Sequence, residues 1–191
     1  MLRAYTLILV LIASGITFAK GAAEPFMTKP MESFTAPTPA SKYDVQLLKE
    51  IEELGWHNVH ISAESGSPEY AFTIGHFQKQ SHPELIVIGL PANIAHKLLN
   101  IAAIKIAGAN EKIEPYKEYT DFTEGLSVVF VPVGIEHYEE YLGYANWYYA
   151  SMPSPYPAMQ MVWPDREGKF PWEPGYDKSF LKFQPLLGVT P

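Results

Sequence analysis

Cysteine is absent from the 191 residues. That excludes a disulfide framework, thiol catalysis, lipidation of a leader cysteine and every zinc or iron–sulfur site with a cysteine ligand. It assigns no compartment, because exported proteins with an adequate core often lack disulfides. Positive charge is also scarce: fourteen Lys and Arg face twenty-one Asp and Glu, for a formal net charge of −7. No basic cluster relieves that acidity, so the chain repels phosphate backbones and nucleic acid is not an expected partner. A Gly-rich phosphate loop, a Gly-x-Ser-x-Gly elbow and a His-Glu-x-x-His helix are all missing. Nothing in the pattern names a cofactor.

What is present starts with a leader. Arg3 supplies a positive charge, and Tyr5 to Ala19 form an apolar run of about 15 residues, a usual length for the core of a signal peptide. A helix that spans a bilayer needs about 20. Small residues at Thr17-Phe18-Ala19 and Gly21-Ala22-Ala23 place cleavage between Ala19 and Ala23, so residues 1–23 are expected to be removed. An uncleaved anchor is the competing reading. Under both, the folded part is expected outside the cytoplasm, periplasmic or secreted, and cleavage leaves no stable membrane span. Residues 24–40 carry Pro25, Pro30, Pro37 and Pro39 without hydrophobic periodicity, and are expected to be an extended or disordered spacer.

Residues 41–191 read as one α+β domain. Ser41-Lys42-Tyr43-Asp44 outlines a capping box, and Val45, Leu47, Leu48, Ile51 and Leu54 follow at helical spacing up to Gly55. Strands are predicted over 56–62 and 70–75, joined as a hairpin through Ser65-Gly66-Ser67-Pro68. Leu85-Ile86-Val87-Ile88 predicts a strand over 84–90 buried on both faces. Pro91 opens a helix running to about Ala107, with Gly108 as its stop. Strands over 120–125 and 126–133 precede a third helix over 135–150, whose Tyr138, Tyr141, Ala145 and Tyr148 form a packing stripe. The last strand, 158–163, is flanked by Pro157 and Pro164, which suits an edge or strand-end position. An aromatic, Pro- and Gly-rich arm from Asp165 to Pro191 is expected to pack on the body. The sum is one mixed or antiparallel sheet of about five to six short strands with three helices.

Two groups of side chains are candidates for chemistry. His76, His82 and Glu84 gather in a loop between strand ends. Two imidazoles and a carboxylate suit a base with its orienting partner, with His82 and Glu84 as the catalytic candidates and His76 as a ligand contact. The alternative is that Pro83 shapes the loop and the imidazoles bind backbone. The spacing fixes no coordination geometry, so no metal site is assigned. His57 and His60 would face opposite sides of their strand. The second group is Gln160, Trp163, Asp165, Trp172, Glu173 and Gln184. Trp163 and Trp172 would wall a pocket in which Asp165 and Glu173 act as paired carboxylates, with Gln160 and Gln184 as ligand contacts. The alternative has Asp165 satisfying the amides of the turn Pro164-Asp165-Arg166-Glu167-Gly168 while the indoles clamp the arm.

Two stretches carry a likeness. One is Tyr70-Ala71-Phe72-Thr73-Ile74-Gly75-His76 followed by His82-Pro83-Glu84-Leu85-Ile86-Val87-Ile88-Gly89-Leu90. The other is Gln160-Met161-Val162-Trp163-Pro164-Asp165, with Gly168-Lys169-Phe170-Pro171-Trp172-Glu173 and Gln184-Pro185-Leu186-Leu187-Gly188. Together they resemble the bacterial family catalogued as domain of unknown function 4262, over roughly Leu47 to Gly188. The usual first motif ends in Gly-Leu where this chain has Gly75-His76, and family members mostly lack a leader. The resemblance implies a domain and its motifs, not a reaction.

Two functions from different classes remain open. The first is an exported binding or inhibitory module of the immunity-protein kind, acting on a protein partner. The second is a small-ligand binder or hydrolase-like enzyme, which requires both candidate groups to meet in one cleft.

Overall fold

The computed structural model describes residues 34–191 apart from Ser65 and Asn110, so the leader and residues 24–33 of the spacer lie outside the described residues. The capping box forms as the sequence predicts. Ser41 Oγ accepts the Asp44 amide at 3.1 Å, and Asp44 Oδ2 accepts the Ser41 amide at 3.0 Å. It opens α1 (Lys42–Leu54), which buries Leu47 and Ile51 and ends at Gly55 in the left-handed conformation. The hairpin follows as β1 (His57–Ile61) and β2 (Tyr70–Ile74), paired antiparallel with Val59 opposite Phe72. A single helical turn, α2 (His76–Gln80), then replaces the expected loop.

β3 (Glu84–Ile88) is buried along its whole length, and α3 (Ala92–Ala109) runs through Gly108 rather than stopping there. β4 (Glu118–Thr123) and β5 (Leu126–Pro132) form the second hairpin. The helix expected over 135–150 is broken into a 3₁₀ turn at Ile135–His137, α4 (Tyr138–Tyr141) and α5 (Gly143–Tyr148). The break falls at Leu142, whose φ of −120° is not helical, beside Gly143, a weak helix former. β6 (Ala158–Val162) closes the set.

The six strands form one mixed, mostly antiparallel sheet in the order β1-β2-β3-β6-β5-β4. The last strand is therefore central and not at an edge: β6 pairs parallel with β3 and antiparallel with β5. Pro157 and Pro164 lie just outside it, so neither removes a ladder donor, and the Pro157 carbonyl accepts the Glu84 amide at 2.9 Å. Alternation along the strands sends Leu85, Val87, Met159 and Met161 to one face, where α3 covers them with Leu98, Leu99, Ala102 and Ile106. Phe72, Ile74, Ile86 and Ile88 face the other way, against Leu47 and Ile51 of α1 and Tyr148 and Tyr149 at the end of α5. On that same side the C-terminal arm covers Val129, Val131 and Val162 with Phe170 and Trp172.

The end of the spacer is extended but not free. The Phe34 ring packs 5.0 Å from Tyr148 and 6.0 Å from Tyr149, centroid to centroid. Thr35 exchanges two hydrogen bonds with Ser151, donating its amide to Oγ and accepting from it, each at 2.9 Å. Proline excludes helix and ladder here, yet the Phe34 ring and the Thr35 hydrogen bonds dock the segment, so packing against the body reaches N-terminal of Ser41 to Phe34 at least. A chain shortened to begin at Ser41 is expected to lose about 1–3 kcal/mol of stability relative to one beginning at Phe34, read as a lower denaturation midpoint at equal slope. Equal midpoints would show that the docked segment contributes nothing.

Candidate functional site

The first candidate group centres on Glu84, which is completely buried and, among the described residues, makes no ion pair. Its oxygens instead receive four donors. Oε2 accepts from the Thr73 hydroxyl at 2.7 Å, and Oε1 from the Gly75 amide at 2.9 Å, the Phe77 amide at 3.0 Å and the Tyr149 hydroxyl. The two hydroxyl oxygens already accept backbone amides, from Leu85 at 2.9 Å and Gln78 at 3.3 Å, which leaves each hydroxyl proton for the carboxylate. One side chain thus joins the end of β2, the first turn of α2, the start of β3 and the residue after α5. It also serves as the cap that α2 lacks, since Gly75, at the N-cap, has no side chain to offer. Gly75 has φ 116°, and a Cβ there would lie 2.8 Å from the Gly55 carbonyl oxygen, so only glycine fits. Burial pushes the Glu84 carboxyl above its usual range, against the pull of its donors, led by Tyr149.

The two imidazoles meet each other, edge to face at 6.2 Å between centroids. Among the described residues neither bonds to Glu84. His82 Nδ1 donates to the Pro83 carbonyl at 2.8 Å, and its Nε2 accepts the Ile113 amide at 3.3 Å. His76 stacks on Trp56 at 5.8 Å, places Nδ1 3.1 Å from Gln80 Oε1, and among the described residues leaves Nε2 buried without a partner. Burial pulls both imidazoles down to about 4, so each is neutral at ordinary pH. Among the described residues, no three His, Asp or Glu side chains are placed to hold a metal ion.

The second group serves the arm. Gln184 Oε1 accepts the Trp163 amide and its Nε2 donates to the Trp163 carbonyl, both at 2.8 Å. Gln160 does the same for the arm, donating to the Pro185 carbonyl at 2.9 Å and accepting the Leu187 amide at 2.8 Å. Asp165 Oδ1 accepts the amides of Glu167 and Lys169, and Oδ2 that of Asp177, at 2.8 to 2.9 Å. The Asp177 amide, followed by those of Lys169 and Glu167, holds this carboxyl below its usual range, the wrong direction for an acid catalyst. Glu173 caps the Phe170 amide at 2.6 Å and makes no pair with Asp165. The indoles lie on opposite faces of the sheet and so do not face each other across one pocket. Trp163 lies on the α3 face and donates Nε1 to the Ile88 carbonyl at 2.8 Å, whereas Trp172 stacks on Phe170 across the sheet at 5.3 Å and 4°.

Among the described residues the two candidate groups do not meet in one cleft. In the parallel pair Glu84 faces Ala158, while Trp163 reaches Ile88. Trp163 and Asp165 thus lie toward the far end of β3 from Glu84, about 13 Å along the strand at 3.3 Å per residue, with Gln160 between them opposite Ile86. Sequence reasoning missed Tyr149 and Thr73, the partners of Glu84, because contacts across 65 and 11 residues, between separate elements, leave no local pattern.

The chain is thus an α+β protein whose motif side chains fasten its own backbone. A family model described as a domain of unknown function, DUF4262, matches residues 50–177, and the chain belongs to that family. No curated protein and no solved structure matches it.

Two outcomes test this geometry. Glu84→Gln places an amide N–H₂ among four converging donors and is expected to cost about 2–5 kcal/mol in denaturant unfolding. A loss under 1 kcal/mol, on the order of an exposed polar change, would contradict it. The imidazoles set a pH dependence. Unfolded, they bind protons below about 6.5; folded, only near 4. Their contribution is complete above pH 6.5 and is lost as the pH falls toward 4, on the order of 3 kcal/mol per imidazole. The raised Glu84 carboxyl acts in the opposite sense, so the informative quantity is the difference from His76→Leu. That variant should gain stability relative to the parent as the pH falls through this window; a pH-independent difference would overturn the assignment.

Proposed function

We propose that the protein is exported and acts outside the cytoplasm as a non-catalytic binding or inhibitory module for a protein partner, in the manner of an immunity protein. The observation that carries this reading is the state of the candidate catalytic groups. His82, Glu84, Asp165 and Glu173 are each engaged by the chain's own backbone, and Trp163 and Asp165 lie toward the far end of β3 from Glu84. Catalysis by acid–base transfer needs free groups within hydrogen-bond reach of one substrate. The acidic net charge of −7 favours partners of opposite sign, and the leader supports export. Among the described residues no helix is long and apolar enough to cross a membrane.

The test is fractionation of the exporting host, followed by native mass spectrometry of the purified full chain. The reading expects a chain shortened by the leader, recovered outside the cytoplasm, in a complex with another protein that dissociates on denaturation. Retention of the uncleaved chain inside the cytoplasm would refute export. A free chain at its own mass, with no protein bound, would refute the binding role.

A further inference from the structure

The acidic surface is unevenly compensated. Glu52 pairs with Lys79, Glu114 with Lys117, Asp121 with Lys105 and Glu167 with Lys169. Around α4 the balance fails. Between Lys117 and Arg166 the sequence holds no Lys or Arg, and Glu136, Glu139 and Glu140 are exposed there. Among the described residues Glu139 and Glu140 make no ion pair, and Glu136 faces only His137, at 3.9 Å.

Two grooves flank this acidic segment. One, of about 450 Å³, lies between α4–α5 and the chain leading into β6, with Tyr138, Tyr156, Met152 and Pro155 in its walls and Glu139 on its rim. The other, of about 390 Å³, runs between the start of the 3₁₀ turn and the end of the C-terminal arm and carries Glu136, Tyr116 and Val189. Neither is lined by a Lys or Arg. Ile135 lines the first groove, adjoins Glu136 of the second and leaves 57% of its surface in water. The walls are already set: Tyr156 donates its hydroxyl to Asn146 Oδ1 at 2.7 Å, and Asn146 Nδ2 donates to the Tyr138 carbonyl at 2.6 Å. Pre-formed walls of Tyr, Met and Pro lower the ordering cost of binding, and Tyr and Met are over-represented at protein interfaces.

We infer that this face, centred on Ile135, docks a basic segment of a protein partner: an apolar or aromatic anchor seated in the Tyr138–Tyr156 groove, with Lys or Arg on either side meeting Glu136, Glu139 and Glu140. The inference rests on the protein-binding reading above and adds its surface and partner chemistry. Charge complementarity selects the occupant, because exposed carboxylates that make no Lys or Arg pair among the described residues attract cations and repel an acidic surface. A second copy of this chain would oppose the same carboxylates to one another across a two-fold contact, so it is disfavoured. The rim charges are exposed, so they chiefly set encounter rate and specificity, while the groove supplies the anchor.

The test is site-specific photo-crosslinking of the full chain in its exporting host. The photoreactive residue is placed at Ile135, or at Ile104 of α3, which is also exposed. Adducts are mapped by mass spectrometry. The expected result is an adduct from Ile135 whose partner peptide carries an apolar residue flanked by Lys or Arg. Its yield should fall at least tenfold in the Glu136→Gln/Glu139→Gln/Glu140→Gln variant, which changes only exposed side chains. An adduct from Ile104 alone would overturn this docking face and leave the protein-binding reading standing. An Ile135 adduct to a second copy, to a segment without basic residues, or with undiminished yield in the Gln variant would overturn the basic occupant. No adduct from either position would overturn this face and the protein-binding reading together.

Discussion

A carboxylate removed from water without a cation must be compensated by hydrogen bonds, and Glu84 is compensated by four. That requirement orders much of the molecule. It fixes where β2 ends, because the Thr73 hydroxyl and Gly75 amide must both reach the same group. It accounts for α2, a five-residue helix far too short to persist alone, whose first turn is held by a cap from the next strand. It draws Tyr149 inward and so sets how α5 lies on the sheet. Removing any one donor would leave a buried charge underserved, so these parts depend on one another.

Where the C-terminal arm meets β6, the principle repeats with neutral groups. Gln160 and Gln184 are wholly buried, and each presents its amide to a short piece of backbone as another strand would. The arm therefore adheres to the sheet without becoming part of it. Gly188 passes so close to the Pro132 carbonyl that any Cβ there would overlap it. The stretches that carry the family likeness are thus the stretches that hold the fold. A shared motif of this kind identifies the domain and leaves the surface free to differ, and the surface carries the carboxylates that make no Lys or Arg pair among the described residues.

Periodicity made most of the fold legible. The apolar spacing of Leu47, Ile51 and Leu54, the alternation in β1 and β2, and the unbroken run in β3 each reflect a single local choice repeated along the chain. Elements set by distant partners were not legible in that way. The prolines beside β6 suited an edge or a strand end, and they sit at the ends of a strand whose central place needed its partners β3 and β5. The long aromatic helix divides at Leu142, where a glycine and the need to bring Tyr149 to Glu84 outweigh a good hydrophobic stripe. The docked end of the spacer rests on Phe34 and Thr35, within a composition typical of linkers. At the candidate site, the turn chemistry around Asp165 correctly offered a structural role as one of two readings. The roles of Glu84 and the glutamines needed the tertiary partners, which no spacing encodes.

The most direct measurement is native-state hydrogen exchange at the Gly75 and Phe77 amides. If the Glu84 carboxylate fastens α2 to the sheet, these two amides exchange only through global unfolding, with the same free energy as Ile86 and Val87 in β3. Exchange at the rate of a fraying surface turn, orders of magnitude faster than β3, would show that the buried carboxylate does not hold this structure together.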